Sequence, residues 1–130
     1  MEKKILANIL GHENITIELD YTCSPKTCKN ILDSLPFSVS AHLWGEEIYT
    51  DESPISQAEE NAKALVALND VAYWPNGKAI CLFFGQTPIG KKGEIKPYSP
   101  VNVVGKIIKP DKSILKNFND GTQVSFSEIS

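Results

Sequence analysis

Four aromatic residues form two adjacent pairs in the most apolar stretch of the chain. The pairs are Tyr73–Trp74 and Phe83–Phe84, one on each side of a PNGK turn sequence. Neighbouring residues of a strand point to opposite faces, so one member of each pair must face away from a β-sheet core. An outward aromatic side chain either lies under a loop or lines a groove, where it would form part of the apolar floor of a ligand site.

Other segments supply groups that would join this floor. His42 lies on the polar face of an alternating segment, Trp44 follows it, and Asn102 lies in a later β-prone run. Such a site suits a small molecule or an extended peptide. The competing interpretation is structural, with Trp74 and Phe84 filling the ends of a core and His42 solvated. The predicted ligand-binding residues are His42, Trp44, Tyr73, Trp74, Phe84 and Asn102.

The remaining reactive residues do not predict catalysis. Glu46 and Glu47 are adjacent carboxylates, which can do acid–base work when their pKa values differ, but adjacent strand positions face apart. Cys23 and Cys28 have no second Cys or His pair nearby, so no zinc site is predicted. We expect free thiols, with Cys81 as a small buried hydrophobe, although a pairing of Cys23 with Cys28 stays open. No catalytic residue, metal or cofactor is predicted.

Composition narrows the classes of partner. The 130 residues predict a single domain, 1–130, and the net charge of −3 gives no reason to expect nucleic acid. No apolar run is long enough to cross a membrane, and the first residues lack the features of a signal peptide, so we expect a cytoplasmic protein. The sequence does not indicate the oligomeric state.

The pattern of apolar residues predicts about eight short strands and two helices. A first hairpin pairs Lys4–Leu10 with Asn14–Asp20, and His12 lies in its exposed turn. A helix begins at Ser24-Pro25, where the serine hydroxyl is expected to cap free amides, and Pro36 ends it.

The central stretch 70–85 is a predicted hairpin whose arms are apolar on both faces, so both faces should be covered. Gly77 is expected to supply a positive φ in its turn. Before this hairpin, Glu59–Leu68 could form a short helix, but we favour a polar connection followed by a strand at Ala64–Leu68. A long surface loop, Gly85–Pro100, is expected after the hairpin. Loops of this kind are often where ligands bind.

The last third of the chain completes the predicted sheet. The run Val101–Ile108 is a strand in which Gly105 marks a bulge or a close backbone approach. Asp111 is expected to cap a short helix, and Thr122–Ile129 is the final strand. Many short, evenly spaced strands favour a closed barrel.

Several segments resemble cyclophilins in the same order along the chain. They comprise a strand leading to a Pro-Lys-Thr helix start, a strand with paired aromatics, and a late Gly-Lys strand followed by a helix: ITIELDYTCSPKTCKNILDSL (15–35), AICLFFG (79–85) and VVGKIIKPDKSILKNF (103–118). The motifs WGEEIY, DVAYWPNGKAICLFFG, TPIG and PVNVVGKI are similar to those of a small prokaryotic cyclophilin-like family of uncharacterised function. The resemblance implies a mainly β fold, a closed eight-stranded barrel capped by two short α-helices.

The resemblance does not extend to prolyl isomerisation. Cyclophilins rely on a guanidinium that donates near the proline nitrogen, and a lysine cannot reproduce that planar donor. All thirteen basic residues here are lysines, and Leu82 replaces the glutamine before the paired aromatics. We therefore predict a non-isomerase module that binds a small molecule or extended peptide beside the 70–85 hairpin.

Three other functions stay open at this point. One is a weak prolyl isomerase that manages without the guanidinium. Another is a subunit of a metabolic enzyme, because the same barrel occurs as a subunit of prokaryotic oxoprolinases. The third is a purely structural interaction protein, which an exposed apolar patch would favour.

Overall fold

The computed structural model describes residues 2–11 and 14–129, and across them it shows a closed antiparallel barrel of eight strands with two helices. The strands follow the order β1-β2-β7-β5-β6-β4-β3-β8, and β8 pairs with β1. This confirms the predicted fold class, while the turn residue His12 lies outside the described residues. The elements are β1 (Glu2–Ile9), β2 (Asn14–Asp20), α1 (Pro25–Ser34), β3 (Phe37–Trp44), β4 (Glu47–Thr50), β5 (Asp70–Trp74), β6 (Ala79–Phe83), β7 (Asn102–Ile108), α2 (Lys112–Leu115) and β8 (Gln123–Glu128).

Inward-facing side chains from these strands fill the barrel. Alternate residues of β2 are buried, as its sequence pattern predicts, and α1 contributes Cys28 and Ile31. Fully burying a large apolar side chain contributes roughly 1.5–3 kcal/mol, so this interior is the main source of stability. Among its largest buried members are Ile17, Leu19, Ile31, Ile48, Val71, Tyr73, Phe84, Leu115 and Phe126.

The first turn of α1 is capped from another part of the chain. The carboxylate of Glu60 accepts hydrogen bonds from the backbone amides of Lys26 (3.0 Å) and Thr27 (2.9 Å). The prediction that the Ser24 hydroxyl caps the helix is wrong, since that hydroxyl instead donates to the Glu60 carbonyl at 3.0 Å. These hydrogen bonds hold the loop before β5, residues 51–69, against the start of α1.

That loop does not contain the predicted strand at Ala64–Leu68. Only isolated bridges form there, Lys63 with Val101 and Val66 with Ile95. Most side chains of the segment are exposed, so it offers no alternating apolar face to bury. It crosses the outside of the barrel as irregular chain.

The hairpin of β5 and β6 is buried on both faces, as predicted. In its turn, however, the positive φ (51°) belongs to Lys78, so the expectation for Gly77 is wrong. Gly77 has a different role, because a β-carbon there would overlap the ring of Trp74. The glycine lets the Trp74 indole lie flat on the turn.

Two local predictions for the last third of the chain are confirmed. The β5–β7 pairing shifts register next to Gly105, and a β-carbon at Gly105 would overlap the Glu18 carbonyl. The glycine therefore marks both a bulge and a close backbone approach. The carboxylate of Asp111 accepts hydrogen bonds from the amides of Ser113 and Ile114 at the start of α2.

A second apolar cluster lies on the outer side of the β4, β5, β6 and β7 sheet, beneath two loops. Its buried members are Ala72, Ala79, Cys81, Phe83 and Val101. The covering loops are residues 51–69 and 84–101. The sheet is therefore covered by apolar side chains on its inner face and, over β4 to β7, on its outer face as well.

Asn102 joins three of these parts. Its Oδ1 accepts from the backbone amide of Glu60 (2.8 Å), and its Nδ2 donates to the Ala58 carbonyl (3.0 Å) and to the Thr27 hydroxyl (3.1 Å). The side chain is completely buried. It therefore holds the outer loop against β7 and α1.

The Asn102→Ala variant should be about 3 kcal/mol less stable, because buried polar groups left without partners cost roughly 1–3 kcal/mol each. The measurement is the free energy of unfolding in urea. The matched control is Asn117→Ala, whose exposed amide makes a single bond to the Ser113 carbonyl and should change stability little. Equal effects of the two variants would contradict this role.

Candidate functional site

An open cavity of about 330 Å³ lies on the outer face of the barrel, where β3, β4, β5 and β6 meet the 84–101 loop. We call it the outer groove. Its walls are almost entirely aromatic and apolar, with one carboxyl group among them. The lining residues are Trp44, Glu47, Tyr49, Trp74, Cys81, Pro97, Tyr98 and Val101.

The β3–β4 hairpin positions three of these residues. Trp44 pairs with Glu47 across the hairpin, and Gly45 takes a positive φ of 60° in the tight turn between them. Glu47 and Tyr49 are two residues apart and so share the outward face of β4. Tyr49 in turn pairs with Cys81 on β6, which completes the floor.

The other wall comes from Trp74 and the 84–101 loop. The indole Nε1 of Trp74 donates to the Ser99 hydroxyl at 2.6 Å. The ring of Tyr98 stands edge-on to both tryptophans, with centroid distances of 6.3 Å to Trp44 and 5.9 Å to Trp74. Tyr98 is 71% exposed and forms the rim of the outer groove.

The carboxyl group of Glu47 is the chemically unusual feature of the outer groove. The residue is only 5% exposed, and within the described part of the chain its Oε1 has no hydrogen-bond partner. Burial raises the pKa of Glu47 to about 7, and the neighbouring Cys81 thiol opposes this rise. Burial likewise raises the pKa of Cys81. Near neutral pH the carboxyl group can therefore either donate or accept a proton.

Two of the six predicted site residues, Trp44 and Trp74, line the outer groove, whereas Tyr73, Phe84 and Asn102 do not. Tyr73 and Phe84 belong to the barrel interior, where the Tyr73 hydroxyl donates to the Ile55 carbonyl at 2.8 Å. Alternation along each strand turns the other member of each aromatic pair outward. The Asn102 side chain makes the hydrogen bonds to the loop and to α1 that are described above, and it does not reach the outer groove.

His42 lies on the outer face near the outer groove but does not line it. Its Nε2 is 2.7 Å from Asp51 and its Nδ1 is 3.1 Å from Asp120. Hydrogen bonds to Asp120 and then to Asp51 raise its pKa above 6.5. Its ring centroid lies 5.3 Å from that of Tyr49, so His42 backs one wall of the outer groove.

Sequence reasoning missed six lining residues: Glu47, Tyr49, Cys81, Pro97, Tyr98 and Val101. A usable signal was the placement of Glu47 between Trp44 and Tyr49 in a strand that is otherwise suited to burial. Its neighbour Glu46 lies in the turn between β3 and β4, and its carboxylate pairs with Lys112 at 3.0 Å. Glu46 and Glu47 are adjacent in the sequence, but only Glu47 is buried.

Other features of the described residues do not form a competing site. A second cavity of about 410 Å³, between β1, β2, β7 and α2, has a more polar lining and no unpartnered buried group. Cys23, Cys28 and Cys81 are free thiols. In residues 2–11 and 14–129 no His, Cys, Asp or Glu cluster could hold a metal ion, and no helix there could cross a membrane.

A closed eight-stranded barrel with two capping helices and an aromatic groove on its outer face is a cyclophilin-type fold. The model of the Cyclophilin-like family matches residues 3–127, and the chain belongs to this family. The structure is similar to the solution structure of the hypothetical protein AF2241 from Archaeoglobus fulgidus. The TM-score is 0.83, with 39% identity over 98% of this chain and 95% of that one. No curated protein matches the chain.

The Glu47→Gln variant should alter how stability depends on pH. The pKa of Glu47 is raised from 4.5 in the unfolded chain to about 7 in the folded protein. Its protonated form therefore stabilises the folded protein fully below pH 4.5, and this stabilisation is lost as the pH rises through 7. The difference corresponds to about 3 kcal/mol. Between pH 4.5 and pH 8, the free energy of unfolding measured in urea should therefore fall by about this amount more in the wild type than in the variant.

The control for this prediction is Glu46→Gln. The pKa of Glu46 is lowered, first by its hydrogen bond to Lys112, so its contribution is lost as the pH falls. The two variants should therefore shift the pH dependence of stability in opposite directions. The same pH dependence in wild type and Glu47→Gln would show that Glu47 is not held in an apolar setting.

Proposed function

We propose that this protein is a non-isomerase binding module that holds a small molecule in the outer groove. The observation that carries the proposal is the convergence of two tryptophans and two tyrosines on a cavity that contains one buried, unpartnered carboxyl oxygen. Ligand pockets are typically apolar, of about 300–1,000 Å³, with few polar groups that fix orientation. The outer groove has this character.

The size and surroundings of the outer groove favour a small molecule over an extended peptide. Its volume of about 330 Å³ is at the low end for ligand pockets. Peptides often bind by adding a strand to a sheet edge, but in the part of the chain that the structure describes the strand order is closed and leaves no free edge. A peptide would have to bind through a side chain placed in the outer groove.

The absence of arginine from the sequence supports a function other than prolyl isomerisation. None of the residues that line the outer groove is basic, so it offers no cationic donor to the amide of a bound proline. In a protease-coupled assay with a proline peptide, the protein should give no rate enhancement over buffer. An enhancement that Trp74→Ala abolishes would establish a weak isomerase instead.

A direct test of binding is native mass spectrometry of the purified protein, in which a retained small-molecule adduct is expected. The Tyr98→Ala variant should retain it at least about tenfold less well, because aromatic side chains that a ligand covers contribute much of the affinity at such sites. Since Tyr98 is largely exposed, the variant should unfold at the same urea concentration as the wild type.

The matched control is Leu10→Ala, since Leu10 is also highly exposed, at 68%, and lies outside the outer groove. It should keep the adduct at the wild-type level. Ligand retention that responds equally to both variants would place the binding elsewhere on the protein. Failure of a small-molecule library to perturb tryptophan fluorescence, together with ligand-free protein in every preparation, would contradict a binding function.

A further inference from the structure

The lining of the outer groove has an uneven distribution of charge. Glu47 supplies a carboxyl group, and none of the eight lining residues carries a basic side chain. Trp44, Trp74 and Tyr98 line the same cavity, and the Tyr98 ring packs edge-on against both tryptophans. Aromatic faces attract cations, and tryptophan does so most strongly.

We propose that the ligand of the outer groove is an organic ammonium ion, whose N–H group donates to the Glu47 carboxylate and whose carbon frame lies against Trp44 and Trp74. This inference rests on the proposed binding function and assigns the chemical class of the ligand. Glu47 lines the groove although it is almost completely buried, and an N–H donor from the ligand would offset the cost of holding its carboxylate there. The positive charge would also balance the carboxylate within an apolar site.

Neutral and anionic ligands fit the same lining less well. A neutral hydroxyl could donate to the carboxyl group but would leave the aromatic walls without their electrostatic contribution. An anion would need either a basic side chain, which the lining lacks, or a protonated Glu47. A free amine and a lysine side chain both carry an ammonium group. The small volume of the outer groove favours the free amine.

Binding of an ammonium ion should displace a proton from Glu47. The cation favours the ionised carboxylate, so the proton leaves to solvent while the amine keeps its own. With a pKa of about 7 in the free protein, about half a proton per ligand is released at pH 7. The affinity should fall about 100-fold from pH 8 to pH 5, because an increasing share of the carboxyl groups must first ionise.

Among the titratable groups near Glu47, His42 is the one whose protonation also changes near neutral pH. Burial raises the pKa of Tyr49, on the same strand, and of Cys81, on the facing strand. Tyr98 contributes a phenol from the loop, and His42 lies behind Tyr49 with a pKa raised above 6.5. A Glu47→Gln variant separates the effect of Glu47 from that of His42.

The experiment compares benzylamine, benzyl alcohol and benzoate, which share one carbon frame. Both tryptophans of the chain line the outer groove, so intrinsic fluorescence reports binding there directly. At pH 8 benzylamine should bind at least about tenfold more tightly than benzyl alcohol, and benzoate should bind most weakly. A peptide with one lysine distinguishes a free amine from a side chain, and weaker binding of that peptide than of benzylamine is expected.

The matched variants are Glu47→Gln and Glu46→Gln, each of which removes one negative charge. Glu47→Gln should abolish both the preference for benzylamine and the pH dependence of its affinity, while Glu46→Gln should keep both. Urea unfolding verifies that each variant is folded, and Glu47→Asp, which keeps the charge, provides a second test by retaining the preference.

The outcomes separate this inference from the proposed function. Tight binding of benzyl alcohol or benzoate with no preference for benzylamine would overturn the ammonium assignment and leave a binding groove. A preference for benzylamine that survives Glu47→Gln would overturn the role of the carboxylate. No fluorescence response to any probe at millimolar concentration would count against both proposals.

Discussion

Both faces of the β5–β6 hairpin are apolar, and the need to keep both from water governs the rest of the structure. The inner face is covered by closing the sheet into a barrel around Tyr73 and Phe84. The outer face needs a separate cover, which the loops before β5 and after β6 provide. The long irregular segments of this small protein are therefore part of its packing, and their attachment points are as well defined as the strands.

The outer cover is incomplete, and the candidate site lies where it ends. Between the β3–β4 hairpin and Tyr98 the loops leave a cavity whose floor includes Cys81 and whose one carboxyl group is that of Glu47. A carboxyl group in such a place lowers the stability of the folded protein at neutral pH. Residues that reduce stability at one defined position are typical of sites kept for a function.

Local periodicity was sufficient to predict most of the strands, both helices and the double coverage of the central hairpin, while the resemblance to cyclophilins implied the closed eight-stranded barrel. It could not predict features that depend on which distant segments meet. Glu60 caps α1 from 33 residues away, and Tyr98 reaches Trp74 only through the path of its loop. The choice of Tyr73 and Phe84 failed for a simpler reason: alternation shows that one member of each pair is outward, but not which one.

The polar contacts at Asn102 bring together a helix, a loop and a strand that are far apart in the sequence. Thr27, Glu60 and Asn102 each satisfy groups on the other two segments, directly or through the backbone. A substitution at one of these positions removes hydrogen-bond partners from the other two segments. In the divergence of this family, such positions are expected to change together or not at all, so the course of the outer loop would be inherited as a unit.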